Sequence, residues 1–369
     1  MLKNFTFSQL NFFRISDLSK ILVALLLILC ALGGCMQYSA GGGTFIFAYP
    51  YVFKVILGFI VLIIVSKIDL KLIFILVDAF YVFSVLLLIL LAFIGATRLG
   101  AQRWIDLGLF AFQPSEIMKI AIILMLAKHF HKFSVSQVGK LRFYISPVIL
   151  IIIPFLLVLR EPDLGTALII LIVSSSMFFL AGFKIKYFLV ILAGIIIFLP
   201  IAWMSLYPYQ KERVLTFLNP DRDPLNSGYH IIQSKIAIGS GGFAGKGYLS
   251  GTQGQLDFLP EKHTDFIFTL LSEEFGLLGG LFLIILYMGI IFTCTLISYH
   301  CPYNFGRYVT SGIITIFFTY IFVNIGMVSG LLPVVGIPLP FISFGGTSML
   351  TYMIGFGLIL NIENNKDYT

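Results

Sequence analysis

The chain has 369 residues, of which 59% are hydrophobic and only 11% charged, and its net charge is +7. Soluble globular chains carry roughly 25% charged residues, so this composition excludes a soluble enzyme and describes an all-α integral membrane protein. In a soluble protein the positive balance would point to nucleic acid. Here it reflects lysines and arginines gathered on the cytoplasmic face, and no nucleic-acid partner is expected.

Crossing roughly 30 Å of hydrocarbon takes about 20 apolar residues. The sequence lays out about ten such transmembrane helices, near 20–36, 50–66, 72–94, 115–131, 143–160, 164–182, 186–206, 266–297, 308–330 and 343–362. Only Arg160-Glu161-Pro162-Asp163 separates the fifth from the sixth. With the N-terminus inside, the inner segments hold thirteen basic residues: Lys3, Arg14, Lys20, Lys67, Lys71, Lys128, Lys132, Lys140, Arg142, Lys184, Lys186, Arg307 and Lys366. The short outer loops hold Arg98, Arg103 and Arg160. This bias predicts cytoplasmic termini and an outward-facing loop over about 207–265, between helices 7 and 8. With no internal repeat and no separate soluble domain, residues 1–369 read as one polytopic membrane domain.

The start of the chain has a rival reading. Lys20, an apolar run and Leu32-Gly33-Gly34-Cys35 resemble a lipoprotein signal peptide, but nine more spans follow and a first transmembrane helix is the preferred reading. Cys30, Cys35, Cys294 and Cys301 lack metal or CxxC spacing and read as small apolar helix residues.

Ionisable residues in or beside spans are functional candidates, because each is costly in hydrocarbon. Arg103-Trp104 lie on the outer loop before the fourth segment, where the Trp also suits an interface anchor. Pro114-Ser115 start that segment, and Glu116 and Lys119 stand three apart on one helix face, within pairing reach. The pair serves either as a structural tie or as part of a site. Asp163 sits where it would cap the sixth segment. Asp265, beside His263 and Thr264 and close to Glu261, lies where the long loop meets an apolar helix. Partial desolvation there would raise its pKa toward that of a useful base, although spacing alone favours a helix cap.

The long loop is too rich in apolar residues for disorder. Within it, Ile231-Ile232 and Ile236-Ala237-Ile238 bracket Gln233-Ser234-Lys235. That pattern predicts a short amphipathic helix ending at Gly239, either guiding a lipid tail or sealing the bundle. Gly239 to Gly247 is a false P-loop, with Ser240 at its first required glycine and Gly247 at the required Ser/Thr. His129-Phe130-His131 lacks the spacing of a helical zinc pair.

Five stretches carry a family resemblance. They are Gly-Ala-Gln-Arg103-Trp104-Ile-Asp-Leu-Gly, Phe112-Gln113-Pro114-Ser115-Glu116, Glu161-Pro162-Asp163-Leu-Gly-Thr, Pro260-Glu-Lys-His263-Thr264-Asp265-Phe-Ile-Phe and Pro340-Phe-Ile-Ser343-Phe-Gly345-Gly346-Thr-Ser. In this order they resemble the SEDS family of shape, elongation, division and sporulation proteins, over nearly the whole chain. Gly-Tyr-His-Ile-Ile-Gln-Ser and Val-Val-Gly-Ile-Pro-Leu-Pro-Phe look like its elongation branch rather than its division branch. Lys262 stands where an arginine is expected; both are cationic.

The resemblance implies a peptidoglycan glycosyltransferase that polymerises lipid II on the outer face of the bacterial plasma membrane, beside membrane lipid and with a class B penicillin-binding protein as crosslinking partner. It matches Asp265 to the family's essential aspartate and Glu116, Lys119 and Asp163 to its polar cavity. A diphosphate leaves as an anion, so one carboxylate base plus positive charge suffices for such a transfer, whereas glycosidases need two carboxylates. Lys119, Arg103 or a divalent cation, magnesium or manganese, would supply that charge. The residues leave open whether Asp265 is a base or a metal ligand. Two rivals remain: a lipid II flippase, against which no paired broken helices appear in two matching halves, and a non-catalytic scaffold, which would not need Asp265.

Overall fold

The computed structural model describes residues 15–365 except 99–100, 107–110, 133–141, 162, 207, 224–226, 257 and 260. The expected cytoplasmic termini, with Lys3, Arg14 and Lys366, fall outside the described residues, as do Lys140 and the motif prolines Pro162 and Pro260.

Each of the ten apolar segments coincides with a helix. In chain order these are α1 (Ile15–Ala40), α2 (Phe45–Ser66), α3 (Leu70–Ile94), α4 (Pro114–His131), α5 (Arg142–Arg160), α6 (Leu164–Leu180) and α7 (Ile185–Ser205). After three shorter helices come α11 (Ile267–His300), α12 (Asn304–Val328) and α13 (Gly346–Asn364). Six of the described helices are long and apolar enough to cross a membrane by length and composition: α1, α2, α3, α5, α11 and α12. α6 and α7 are apolar but offer shorter runs. α4 carries Glu116, Lys119 and Lys128 and is buried along most of its length, as is α13. Helices shielded by other helices can hold polar groups that a lipid-facing helix cannot. The outer surface of the bundle is correspondingly apolar, with Phe45, Ile46, Phe53, Phe83 and Ile197 among many exposed large side chains.

α1 runs unbroken through Gly33, Gly34 and Cys35. A Cβ at Gly33 would collide with the Tyr51 hydroxyl and the Phe341 carbonyl, so this stretch packs as a helix of the bundle. α13 lies against α2, where Gly58 meets Met353, Gly357 meets Val65, and Asn361 donates to the carbonyls of Val65 at 2.9 Å and Ile68 at 2.6 Å. Small residues let membrane helices approach this closely.

Two regions were not legible in advance. Between α3 and α4 the chain forms an antiparallel three-stranded meander, β1 (Ala96–Arg98), β2 (Ala101–Asp106) and β3 (Ala111–Phe112), with Ala96 facing Trp104 and Ile105 facing Phe112. The all-α expectation therefore holds for the bundle but not for this rim. The long loop is also ordered, as α8 (Pro208–Leu218), a 3₁₀ turn, α9 (Ser227–Ser240) and α10 (Thr252–Gln255). α9 contains the expected amphipathic helix, extended one residue beyond Gly239. It buries Ile231, Ser234 and Ala237, and Ser234 donates to Val328 O at 2.8 Å.

The false P-loop has a structural task. α11 breaks at Gly276, whose φ of 62° and ψ of −156° lie in a region essentially restricted to glycine. The glycine-rich loop splints the break. Lys246 and Gly247 donate to the carbonyls of Glu273 and Glu274, both at 3.0 Å, while Leu277 and Leu278 donate to those of Gly242 and Phe243 at 3.0 and 3.2 Å. Glu273, fully buried, accepts from Lys246 Nζ at 2.7 Å and from the Gln253 and Gly254 amides at 2.9 and 3.1 Å.

Candidate active site

Asp265 ends a run of turns immediately before α11, and it does not cap that helix. The N-cap position falls on Phe266, and no side chain makes a cap hydrogen bond there. The backbone around it is instead latched to the 329–345 connection between α12 and α13. Asn324 of α12 donates to Asp265 O at 2.9 Å and to Ile337 O at 2.7 Å. Ser343 Oγ donates to Thr264 O at 2.6 Å, and the Phe344 amide donates to His263 O at 2.8 Å. Gln37 Nε2, at the end of α1, donates to both His263 O and Ile342 O, at 3.0 and 2.8 Å. Five backbone carbonyls are thus held by three buried or half-buried side chains and one amide, which fixes Asp265 without engaging its carboxylate.

Part of Asp265's surface stays accessible, yet protein crowds the carboxyl on most sides. Burial pushes its pKa up to about 6, the Glu261 charge adds to the rise, and the Arg213 guanidinium opposes it. His263 stacks on Phe47 with ring centroids 4.2 Å apart. Burial lowers its pKa, Glu261 works against that shift, and Lys262 and Lys54 reinforce it, so the imidazole is held neutral.

Glu116 and Lys119 do meet. Lys119 Nζ lies 2.7 Å from Glu116 Oε1, and Tyr320 of α12 bridges the pair, accepting from Lys119 and donating to the same carboxylate oxygen at 3.0 Å. Glu116 is 4% exposed and Lys119 1%. This cluster reaches Asp265 through α12, because Tyr320 and Asn324 stand four apart and share a face.

A third group gathers at the rim. The meander carries Arg103 to Asp163, Nε to Oδ2 at 3.8 Å, with Trp104 half-buried beside it. Asp163 caps α6 by accepting from the Thr166 amide at 3.2 Å and hydroxyl at 2.9 Å. Arg103, Asp163, Gln210, Arg213 and Val335 line a cavity of about 120 Å³. Arg213 of α8 donates to Val335 O at 3.1 Å and so links this group to the connection that latches Asp265. A larger cavity of about 830 Å³ opens at the other end of the bundle among Lys67, Lys71, His131 and Tyr303, and none of the candidate residues lines it.

Several residues here escaped the sequence reading. Arg213 and Asn324 gave no local signal, being one basic and one amide residue in unremarked stretches. Glu161 was visible only inside its motif. It is 5% exposed, neither carboxylate oxygen has a hydrogen-bond partner, and burial together with the Asp163 charge pushes its pKa up to about 8 against the pull of Arg103. Lys54 could have been found as a charge inside the second apolar segment. Among the described residues, no three His, Cys, Asp or Glu side chains converge as metal ligands.

A helical membrane bundle with a backbone-latched aspartate on one rim and a buried ion pair beneath it defines a polytopic membrane protein with its polar site at one end. The chain matches the cell cycle protein family of FtsW, RodA and SpoVE over residues 11–368, and it belongs to that family. The peptidoglycan glycosyltransferase MrdB of Escherichia coli K12 is 40% identical over 354 residues, covering 95% of this chain and 94% of its own. The stage V sporulation protein E of Bacillus subtilis is 34% identical, covering 94% and 97%. Among solved structures, a chain from a peptidoglycan synthase complex that coordinates polymerization and crosslinking superposes with a TM-score of 0.83 at 30% identity, covering 94% of this chain and 98% of that one. The rod shape determining protein RodA of Thermus thermophilus gives 0.72 at 26% identity, covering 94% and 96%.

Proposed function

We propose that this chain is a peptidoglycan glycosyltransferase of cell-wall elongation, polymerising lipid II with Asp265 as its central catalytic residue. The observation that carries the reading is the Asp265 loop: a carboxylate fixed through its backbone, free of cap duty, and raised to about 6. Relatives carrying the glycosyltransferase name cover almost the whole chain, which supports it.

In this reading Asp265 accepts the proton of the acceptor sugar's hydroxyl. That oxygen forms a bond to the anomeric carbon of the growing chain as the bond to its undecaprenyl diphosphate carrier breaks. The diphosphate keeps the electron pair and leaves as an anion, so no second carboxylate is required as acid. Lys119 is committed to Glu116 and Tyr320, so the charge facing the leaving group falls to Arg103 and Arg213. Were Asp265 a metal ligand instead of the base, it would hold a magnesium or manganese ion that supplies positive charge at the leaving group, since magnesium commonly takes one or two carboxylates plus phosphate.

All ten helices span the membrane in this reading, with cytoplasmic termini, and Asp265 lies on the outer face, where lipid II is presented. A class B penicillin-binding protein is the partner. The test is to purify the chain with its penicillin-binding protein, add lipid II, and resolve the products by size. Glycan polymer is expected. Movement of lipid II across vesicles without polymer would replace the reading with a flippase, and no reaction at all would favour a scaffold.

A further inference from the structure

Three charged groups of the described helices are paired: Lys119 with Glu116, Lys128 with Asp78 at 2.6 Å, and Glu273 with Lys246. Among the described residues Lys54 makes no ion pair and no hydrogen bond. It is the tenth residue of α2, two turns below Phe47 on the same face, and its ammonium lies 3.3 Å from the centre of the Phe344 ring. Phe344 in turn abuts the His263 ring at 6.0 Å between centroids and donates its amide to His263 O. Phe47, His263, Phe344 and Lys54 therefore form a continuous wall descending from the Asp265 loop into the bundle's side.

A lone ammonium in a span is costly: insertion scales put it at about 2.5–3.5 kcal/mol. A cation–π contact returns about 0.5–2 kcal/mol. A lysine that merely snorkelled would place its charge in water, whereas this one rests on an aromatic face against Gly346 at the start of α13. An anion arriving from the lipid side would complete the site. Beside and below Lys54, the exposed side chains of α2, Phe53 level with it and Ile56, Leu57 and Ile60 beneath, offer an apolar strip along which a hydrocarbon tail can lie.

The proposed reaction brings two lipid-borne diphosphates to one aspartate, one on the growing chain and one on the incoming unit. The connection that latches Asp265 carries two cationic positions: Arg213 at Val335, near its middle, and Lys54 at Phe344, near its end. Resting on the glycosyltransferase reading, we infer that Lys54 binds the diphosphate of one of the two lipid-linked substrates, with its tail against α2. The same chemistry would recognise the phosphate of a leaflet phospholipid, and the experiment separates the two sources.

The wild-type chain, K54Q, K54M and K54R are placed in phosphatidylcholine nanodiscs and titrated with farnesyl diphosphate, inorganic diphosphate and phosphatidylglycerol. Losing a charge-assisted contact should weaken farnesyl diphosphate binding by about tenfold or more in K54Q and K54M, with K54R close to wild type. Inorganic diphosphate, lacking a tail, should bind poorly to all four. Removing a lone charge from a span should leave the unliganded melting temperature unchanged or higher. Farnesyl diphosphate binding unaltered in K54Q overturns the proposal. So does unfolding of both neutral variants, which makes Lys54 structural, and so does a Lys54-dependent preference for phosphatidylglycerol. In this titration D265N should bind farnesyl diphosphate normally, and with lipid II and the penicillin-binding protein added it should make no glycan. Absence of polymer from the wild type would sink the enzyme reading while leaving the Lys54 binding result standing.

Discussion

The Glu116–Lys119–Tyr320 cluster and the Asp265 loop hold their charges in opposite ways. In the first, an acidic and a basic side chain and a phenol meet at 2.7 and 3.0 Å in the core, all through one oxygen of Glu116. In the second, every latch grips backbone, from Asn324, Gln37, Ser343 and the Phe344 amide, while the carboxylate makes no hydrogen bond among the described residues and feels Arg213 only through its charge. A neutralised pair fixes where helices sit. A carboxylate whose position is fixed by its neighbours' main chain keeps its lone pairs for something that arrives. α12 joins the two, so the tie beneath sets the platform for the group above.

The largest expected effect breaks the upper half of this comparison. Asp265→Asn should lower glycan synthesis by at least about 100-fold with no loss of melting temperature at pH 7.5. The carboxyl's pKa rises from 3.8 to about 6 on folding, so its ionisation opposes folding, increasingly between those values and fully above them. Removing that ionisation should leave the protein as stable or more so. A destabilised but active variant would reverse the assignment.

The lower half breaks differently. Lys119→Ala leaves Glu116 buried and unpaired and should cost about 3–5 kcal/mol, read by thermal melting in detergent. Combining Glu116→Leu with Lys119→Met should recover that stability while polymerisation stays impaired, because Tyr320 loses its acceptor on the helix that carries Asn324. Full activity in the double variant would reduce the pair to a tie.

Asn324→Leu sharpens the link between the two. It should cost about 1–3 kcal/mol per carbonyl left unpaired, and at temperatures well below melting it should still lower turnover, since Asp265 loses its clamp. A wild-type turnover in a destabilised protein would detach the clamp from the chemistry. A smaller effect is in pH: if Asp265 is the base, turnover should fall about tenfold per unit below pH 6, and a flat profile from pH 5 to 8 would argue against that role. Smallest of all, Glu161→Gln should leave turnover at pH 7 near wild type, because burial pushes Glu161 up to about 8 and it already carries its proton. It should also abolish the loss of stability that the wild type shows as pH rises from 4.5 to 8, leaving the variant the more stable protein above that window. A large loss of turnover at pH 7 would mean Glu161 works as a carboxylate.

What the sequence made legible was set by local spacing and by hydropathy. The ten helices, the Glu116–Lys119 pairing and the Asp163 cap all follow from residues within a turn or so of one another. The meander was hidden because Ala96-Thr97-Arg98 is too short to show alternation. Asp265 was misread locally as a cap because its true neighbours, Asn324 and Gly336, are more than fifty residues away. Arg213 and Asn324 were invisible for the same reason, since only the folded connection between α12 and α13 brings them to the aspartate. Hydropathy found α4 and α13 as apolar segments but not that both are sheltered by other helices along most of their length.

The break at Gly276 bears on how the chain is made. As one straight rod the 34 residues of α11 would measure about 51 Å, against roughly 30 Å of hydrocarbon. Interrupting it leaves residues 277–300 as a run of about 36 Å, and sets residues 267–275, almost all buried, apart from it as a separate segment beside the Asp265 loop. The carbonyls of Glu273 and Glu274 at the interruption accept from the Lys246 and Gly247 amides of the glycine-rich loop, which the ribosome delivers almost thirty residues earlier. That loop must wait, unpaired, until the later segment is inserted. Gly276→Ala should therefore show its damage during biogenesis, as protein cleared by quality-control proteases before it reaches a partner.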